Sequence, residues 1–241
     1  MNELKLSERL NAVVSHIPTG ASVADIGSDH AYLPVYACLH QITRSAIVGE
    51  ITDGPFHSAR DQVRKTGLEG QISVRKGDGL EVLSPGEVDV ITIAGMGGKL
   101  IRDILQRGKD KLPGVSRLIL QPNVGAESIR KWLLENGWEL KAEQILEEDQ
   151  KIYEILVAEK GVAARPYTDI RKDAGLLFGP FLLVEKSPVF IKKWKSEWKK
   201  WNQVLKQMEH ATMAKADVDK RKSEISEKMK LVEEVLQWKN Q

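Results

Sequence analysis

The sequence predicts an α/β domain, built on a mostly parallel sheet with helices on both faces, followed by a helical hairpin. Two observations support this prediction. Segments rich in Val and Ile alternate with helical segments through the first two thirds of the chain, and from Phe190 onward the pattern is helical throughout. The change occurs after Gly161, in a segment that prolines interrupt. We therefore expect two domains, residues 1–164 and residues 165–241.

In the first domain, the alternation has the spacing of a doubly wound sheet. We expect strands over residues 22–25, 46–49, 72–75, 88–93, 117–121, 138–146 and 151–158. We expect helices over residues 6–16, 31–40, 55–66, 100–109 and 126–136. The final two strands flank an acidic turn, Glu147 to Gln150, and are expected to form an antiparallel pair.

The second domain carries two apolar seams with the alternating spacings of three and four that are typical of a coiled coil. The first seam comprises Ile191, Trp194, Trp198, Trp201, Leu205, Met208 and Thr212. The second seam comprises Ile225, Met229, Val232 and Leu236. We expect a turn in the polar stretch Lys215 to Ser223, and hence an antiparallel hairpin whose tryptophans serve packing rather than base stacking. A dimerising coiled coil is the alternative.

Charge is distributed unevenly along the chain. Residues 165–241 hold 17 Lys and Arg against 11 Asp and Glu, a net charge of +6, whereas residues 1–164 hold 19 against 23, a net charge of −4. A basic tail on an acidic body indicates that the tail meets a polyanion. A solvated helical face explains the charge equally well.

Composition excludes several classes of protein. A hydrophobic content of 41% is enough for a core. The single cysteine, Cys38, forms no internal disulfide, and the five histidines lack metal-ligand spacing, so we expect no metal. The segment MNELKLSERL has no apolar signal-peptide core, and no apolar run is long enough to cross a membrane, so we expect neither a signal peptide nor a membrane span. We expect a cytoplasmic protein that works as a monomer.

The most informative segment is VADIGSDHAYLP, from Val23 to Pro34. A β-branched strand ends on an acid, Asp25, and the chain then breaks at Gly27 into the start of a helix. Backbone N–H groups at such a turn suit the polar tail of a ligand. Three more strand ends follow in the segments IVGEI, KGDGL and ITIAGMGG. Because these ends share one edge of a sheet, they predict an S-adenosylmethionine pocket.

Each part of this cofactor has predicted partners. Gly27 lets the backbone approach the methionine tail, with Ser28 beside it, and Asp25 accepts from the ammonium group. Glu50 ends the second strand at the distance usual for a carboxylate that accepts both ribose hydroxyls. The other expected contacts are Ile51 after the second strand, Asp78 and Gly79 at the adenine, and Gly95 and Met96 in the fourth loop. A helix cap is the alternative role for Asp25, and a core side chain for Met96.

Asp78 separates this prediction from a nicotinamide dinucleotide site, for which Glu50 would serve equally well. In the turn after the third strand, the Asp78 carboxylate can accept from the exocyclic amine of adenine. Dinucleotide folds also prefer G-x-G-x-x-G, whereas Gly27 is followed by no second glycine. An oxidoreductase is therefore disfavoured. A non-catalytic RNA-binding adaptor is the third hypothesis.

The chain resembles the TrmK family of bacterial tRNA adenine-N1 methyltransferases, which act on adenine 22. The resemblance lies in the motifs ADIGSDHAYLP, AGMGG, LSERL and QPN and in the coiled-coil tail. The resemblance covers the whole chain, and the combination of the first two motifs is its most specific part. It implies a Rossmann-like class I methyltransferase domain, S-adenosylmethionine as cofactor, tRNA as partner, and a helical tail that positions the tRNA.

The chemistry of adenine N1 agrees with this resemblance. N1 carries an in-plane lone pair and needs no deprotonation, so positioning and exclusion of water supply most of the catalysis. The product base is cationic, and an acceptor for its N6 hydrogens would stabilise the developing charge. We expect Asp29 to be that acceptor, with a helix cap as the alternative. AGMGG lacks the Asn/Asp-Pro-Pro-aromatic motif of many amino-directed enzymes, which argues against exocyclic amine methylation.

The remaining predicted contacts concern the RNA. His30 and Tyr32 are expected to orient or stack on the target base, although packing is open for Tyr32. Gly97 belongs to an open glycine loop against which a flat substrate can lie. The other predicted substrate contacts are Arg9, Gln121 and Asn123. Arg9 could reach a phosphate, although the sequence favours a surface arginine there. N1 lies on the Watson–Crick edge, so a paired adenine must first be flipped.

Overall fold

The computed structural model describes residues 5–28, 30–208 and 215–237. The chain divides into two compact units, Met1–Phe181 and Leu182–Gln241. No helix in these described ranges is long and apolar enough to cross a membrane.

The first unit is built on one seven-stranded sheet. In chain order its strands are β1 (Ala21–Ile26), β2 (Thr43–Glu50), β3 (Ile72–Lys76), β4 (Val90–Gly97), β5 (Arg117–Val124), β6 (Trp138–Glu148) and β7 (Lys151–Lys160). Their order across the sheet is β3-β2-β1-β4-β5-β7-β6. The first five are parallel, and β7 is antiparallel to both β5 and β6. The predicted α/β sheet with a closing antiparallel pair is confirmed.

The helices of the chain follow the predicted alternation. They are α1 (Glu8–Val14), α2 (Tyr32–Leu39), α3 (Asp53–Lys65), α4 (Gly98–Arg107), α5 (Ala126–Glu135), α6 (Lys172–Phe178), α7 (Pro180–Glu185), α8 (Pro188–Met208) and α9 (Lys215–Leu236). Short 3₁₀ turns occupy Gly79–Val82, Lys109–Lys111 and Arg165–Tyr167.

Helices cover both faces of the sheet, because successive strand residues point to opposite sides. On β1, Ala24 and Ile26 pack into a cluster with residues of α4 and α5, such as Ile101 and Ile129. Val23, which precedes Ala24, packs with residues of α1 on the other face. Both faces are apolar, as expected for parallel strands buried on both sides. The polar residues of the sheet are therefore concentrated at its ends.

The segment AGMGG differs from its prediction as an open loop. Met96 and Gly97 continue β4 and pair with Pro122 and Val124 of β5 across two register shifts. The irregularity surrounds Gly95, whose φ of +80° lies in the left-handed region that favours glycine. Thus the segment is a bulged strand end, and such bulges re-aim side chains beside sites.

The boundary between the units lies later than the predicted division at residues 164 and 165. Residues of α6 are tied to the sheet by Arg130 of α5, whose Nη1 donates to the carbonyls of Leu176 and Leu177, at 3.4 Å and 3.1 Å. The same guanidinium pairs with Glu143 and Glu154, at 2.7 Å and 2.9 Å. These three charged side chains are almost fully buried, so the segment after β7 belongs to the first unit.

The second unit pairs α8 with α9. Trp194 and Trp198 of the first predicted seam are buried, and Met229 and Val232 of the second seam are buried too. Trp198 Nε1 donates to Glu233 at 3.0 Å. The packing role of these two tryptophans is confirmed, whereas the coiled-coil geometry stays a prediction.

The predicted turn over residues 215–223 is wrong, because α9 begins at Lys215. This stretch is polar but contains good helix formers such as Lys, Arg and Ala, and it lacks Gly and Pro. Thr212 of the predicted first seam lies outside the described residues.

Candidate active site at the carboxyl edge of the sheet

Asp25 is buried near the end of β1, between Val48 of β2 and Thr92 of β4. Thr92 Oγ1 donates to Asp25 Oδ1 at 2.6 Å, and Ser28 Oγ donates to Oδ2. Burial raises the pKa of Asp25, while these hydroxyls and the nearby Arg9 act in the opposite direction. A buried acid whose charge is this costly suits a cationic ligand, which would stabilise the carboxylate.

Directly after β1, Gly27 provides a close approach to the backbone. Its φ is +69°, and its N–H donates to the Gly49 carbonyl at 2.8 Å. A Cβ on residue 27 would lie 2.1 Å from Met96 Cε, so any larger residue would displace that side chain. The left-handed φ favours glycine at this position, and the space beside it is taken by the flexible end of Met96. The approach of the Gly27 backbone to the cofactor stays a prediction.

A cavity of about 270 Å³ opens at this edge of the sheet. It brings together seven predicted site residues, namely Arg9, Asp25, Gly27, Ser28, Gly95, Met96 and Asn123. Four residues that the sequence did not indicate complete the wall, namely Leu10, Leu33, Ala94 and Tyr153. The cavity is slightly smaller than most small-molecule sites, so it would hold only part of a cofactor.

A buried amide organises the β5 side of the cavity. Gln121 is fully buried, and its Oε1 accepts from Arg9 Nη1 at 2.5 Å and from the Gly95 N–H at 3.0 Å. Asn123 Nδ2 donates to the Gly95 carbonyl at 2.7 Å. Gln121 therefore holds Arg9 and the Gly95 backbone in place, and its contact with substrate stays a prediction. Arg9 is partly buried and lines the cavity, and its contact with substrate stays a prediction.

The residues predicted for the adenosine half lie along the same edge, outside this cavity. Glu50 is buried at the end of β2, and Ile51 after it is exposed. Asp78 follows β3 and pairs with Arg107, whose Nη2 donates to both carboxylate oxygens at 3.0 Å and 3.1 Å. Gly79, with φ +58°, begins the next 3₁₀ turn. Sequence reasoning missed Arg107 because only the packing of α4 brings it to Asp78.

The segment before α2 combines predicted residues with unusual backbone. Asp29, the predicted catalytic residue, lies outside the described residues. His30 and Ala31 both have positive φ, 68° and 55°, and such strain in non-glycine residues is typical of functional segments. The His30 ring stacks on Tyr32, with centroids 5.5 Å apart. Tyr32 packs against the core cluster under α1 and is not part of the cavity wall.

Two further predictions concern Gly97 and metal binding. Gly97 is partly buried at the end of β4, and a Cβ there would meet nothing within 4 Å. Cys38 is buried, and burial raises the pKa of its thiol to about 11. Among the described residues, no group of three or more His, Cys, Asp or Glu side chains is placed to hold a metal ion.

Comparison with known proteins identifies the family. Residues 23–234 match the model of the TrmK family, described as tRNA (adenine(22)-N(1))-methyltransferase. The chain is 55% identical over 236 residues to the tRNA (adenine(22)-N(1))-methyltransferase of Bacillus subtilis strain 168, covering 98% of this chain and 99% of that protein.

Solved structures agree with this match. The crystal structure of the B. subtilis m1A22 tRNA methyltransferase TrmK superposes with a TM-score of 0.91 at 53% identity, covering 96% of this chain and 99% of that one. A putative tRNA (m1A22) methyltransferase of Streptococcus pneumoniae, solved in complex with S-adenosyl-L-methionine, gives 0.83 at 40% identity, covering 96% and 100%. TrmK of M. capricolum, solved with S-adenosylhomocysteine, gives 0.76 at 28% identity, covering 94% and 99%. The chain belongs to the TrmK family of tRNA (adenine(22)-N(1))-methyltransferases.

Proposed function

We propose that this protein methylates N1 of adenine 22 in tRNA, with S-adenosylmethionine as methyl donor. The observation that carries the proposal is the cavity at the end of β1, where a buried acid, Asp25, lies beside Gly27 in a chain of this family. The resemblance of the sequence motifs and the geometry of the strand ends point to the same edge of the sheet.

The residues present fit this cofactor. The cavity around Asp25, Gly27 and Ser28 suits the methionine tail of the cofactor. The Asp25 carboxylate can accept hydrogen bonds from the ammonium group of the tail, and Gly27 leaves room for the amino-acid atoms of the tail. Glu50 suits the ribose hydroxyls and Asp78 the adenine amine, since both follow neighbouring strands along the same edge. Ile51, Gly79, Gly95 and Met96 complete the proposed contacts.

When bound, S-adenosylmethionine supplies a methyl group on a positively charged sulfur. The protein's own contribution is to hold adenine N1 in line with that group and to exclude water. No side chain needs to remove a proton before N1 attacks. We assign Asp29 the role of accepting from the adenine N6 hydrogens as positive charge develops on the base. His30, Gly97 and Asn123 are the proposed neighbours of the base, and Gln121 holds Arg9 in place.

The second unit is proposed to position the tRNA. Exposed lysines of α8 lie outside its buried tryptophan seam, at Lys192, Lys195, Lys199 and Lys200. Such a row can neutralise phosphates, which would make tRNA binding dependent on salt. The target adenine has to leave its stack or pair before N1 is accessible. We further propose that the protein acts in the cytoplasm as a monomer.

The proposal is tested by incubating the full chain with labelled S-adenosylmethionine and unmodified bacterial tRNA, followed by nucleoside analysis. We expect labelled 1-methyladenosine from the wild type and strongly reduced product from Asp29→Ala. Asp61→Ala, an exposed position on α3, is the control and is expected to match the wild type. Cofactor binding with no methylated nucleoside would contradict the proposed substrate.

A further inference from the structure

Tyr153 reaches the site from a strand that the sequence patterns did not connect with it. It lies near the beginning of β7, opposite Leu146 of β6. Because β7 is antiparallel to its neighbours, its first residues lie at the edge where the parallel strands end. The topology therefore delivers an aromatic side chain to the same edge as Asp25 and Gly95.

The ring of Tyr153 forms part of the cavity wall and is held there by a cation. Arg9 Cζ lies 5.4 Å from the ring centroid, a distance suited to a cation–π contact. Arg9 is fixed in turn by the buried amide of Gln121, at 2.5 Å. Tyr153 is the one aromatic side chain among the described residues of this wall, and it is partly exposed. The ring is therefore both oriented and accessible.

The order of the strands separates a cofactor side from a substrate side. Glu50 and Asp78, the proposed partners of the adenosine half, follow β2 and β3, on one side of β1. Tyr153 lies on the other side, beyond β4 and β5. A ring on that side can contact a substrate base that approaches the methyl donor from the side of the sheet opposite Glu50 and Asp78. Tyr32, in contrast, packs on the core cluster under α1.

We infer that Tyr153 is the platform on which the flipped target adenine stacks, with Arg9 holding the ring in position. The inference rests on the proposed function. Aromatic side chains that stack on a single unpaired base contribute about tenfold to a hundredfold to its binding, and they tolerate changes of the phenol hydroxyl because the π-face makes the contact. The ring, rather than its hydroxyl, is thus the required feature.

The test compares full-length Tyr153→Phe and Tyr153→Leu with the wild type. We expect Tyr153→Leu to lower kcat/KM for tRNA by about tenfold or more, while the Kd for S-adenosylmethionine and the Tm stay close to wild type. Tyr153→Phe is expected to retain most of the activity. Tyr36→Leu is the matched control, because Tyr36 stacks on His40 away from the cavity wall. Tyr153→Met provides a second non-aromatic variant if the Leu variant has a low Tm.

Several outcomes would overturn the inference. Wild-type kcat/KM in both non-aromatic variants would show that the ring does not hold the base. Weaker cofactor binding in Tyr153→Leu would assign the ring to the cofactor, and equal loss in Tyr153→Phe would assign the effect to the hydroxyl. These results require an active wild type, whereas a wild type that forms no 1-methyladenosine would contradict the proposed function itself.

Discussion

At the residue level, Asp25 shows how burial sets both stability and ligand preference. Burial raises its pKa, so between the unfolded and folded pKa the native state binds more protons than the unfolded state. The contribution of Asp25 to the free energy of unfolding therefore falls as pH rises from the unfolded pKa to the folded pKa. Asp89 has the opposite shift, since hydrogen bonds from Ser22 and then the Arg44 guanidinium lower its pKa. Its stabilising effect is present at neutral pH and lost as pH falls.

The two acids predict opposite pH profiles for matched variants. Asp25→Asn keeps the shape, and the hydroxyls of Ser28 and Thr92 can turn to suit the amide. Its Tm relative to wild type is expected to rise as pH increases from about 4 to about 8. The relative Tm of Asp89→Asn is expected to fall as pH increases from about 2 to about 5 and to stay level above that, because the pKa of Asp89 is lowered. Scanning calorimetry at a series of pH values measures both, and parallel profiles would contradict the assigned shifts.

Asp78 is the residue on which the proposed adenine contact depends. Replacing it by Ala removes a charged acceptor, so we expect the Kd for S-adenosylmethionine to rise about tenfold or more. Isothermal titration measures this Kd directly. Asp103→Ala is the control, because Asp103 pairs with Arg102 on the surface of α4. An unchanged Kd in Asp78→Ala would place the adenine elsewhere.

Sequence patterns predicted most of the site and missed residues for identifiable reasons. Asp25 and Gly95 lie near the ends of parallel strands and Gly27 follows one, so their common edge could be inferred from the alternation alone. Tyr153 lies near the beginning of β7, which is antiparallel to its neighbours. Its position at this edge therefore depends on the direction in which β7 runs. The sequence feature that could have indicated Tyr153 is the predicted antiparallel pair, because the first residues of an antiparallel strand lie at the edge where the parallel strands end.

At the level of elements, the buried charge of Arg130 joins α5, the β6–β7 pair and the end of α6. Arg130→Met fills a similar volume but removes the positive charge that pairs with the buried Glu143 and Glu154. We expect the free energy of unfolding to fall by about 3–5 kcal/mol, measured by urea denaturation. Arg171→Met, on an exposed pair with Asp173, is expected to change it by less than about 0.5 kcal/mol. Equal effects of the two variants would contradict this account.

The types of element were predictable because the apolar periods are strong, whereas their ends depended on tertiary contacts. The first five strands and β7 occur where Val, Ile and Leu are frequent, whereas β6 was predicted from its place before the acidic turn. The glycines at the end of β4 predict a loop, whereas Met96 and Gly97 pair with β5. Gly98, which begins α4, packs tightly on the backbone of Gly125. The polarity of the first residues of α9 suggested a turn. That prediction is wrong because polarity alone does not stop a helix.

At the level of the whole molecule, the basic second unit predicts how tRNA affinity depends on salt. Lys195→Gln with Lys199→Gln removes two exposed charges from α8, so the slope of log affinity against log salt is expected to weaken by about 1–2. Lys131→Gln with Lys172→Gln removes the same charge from the first unit and is expected to leave the slope near wild type. Filter binding over a salt series compares them. Identical slopes would show that α8 does not meet the phosphates.

The most direct test of the central claim uses two transcripts of one tRNA that differ only at position 22, with adenine or guanine. Full-length protein and labelled S-adenosylmethionine are incubated with each, and the products are digested and separated. We predict 1-methyladenosine from the adenine-22 transcript and none from the guanine-22 transcript. Equal labelling of both transcripts, or label in a nucleoside other than 1-methyladenosine, would contradict the proposed target.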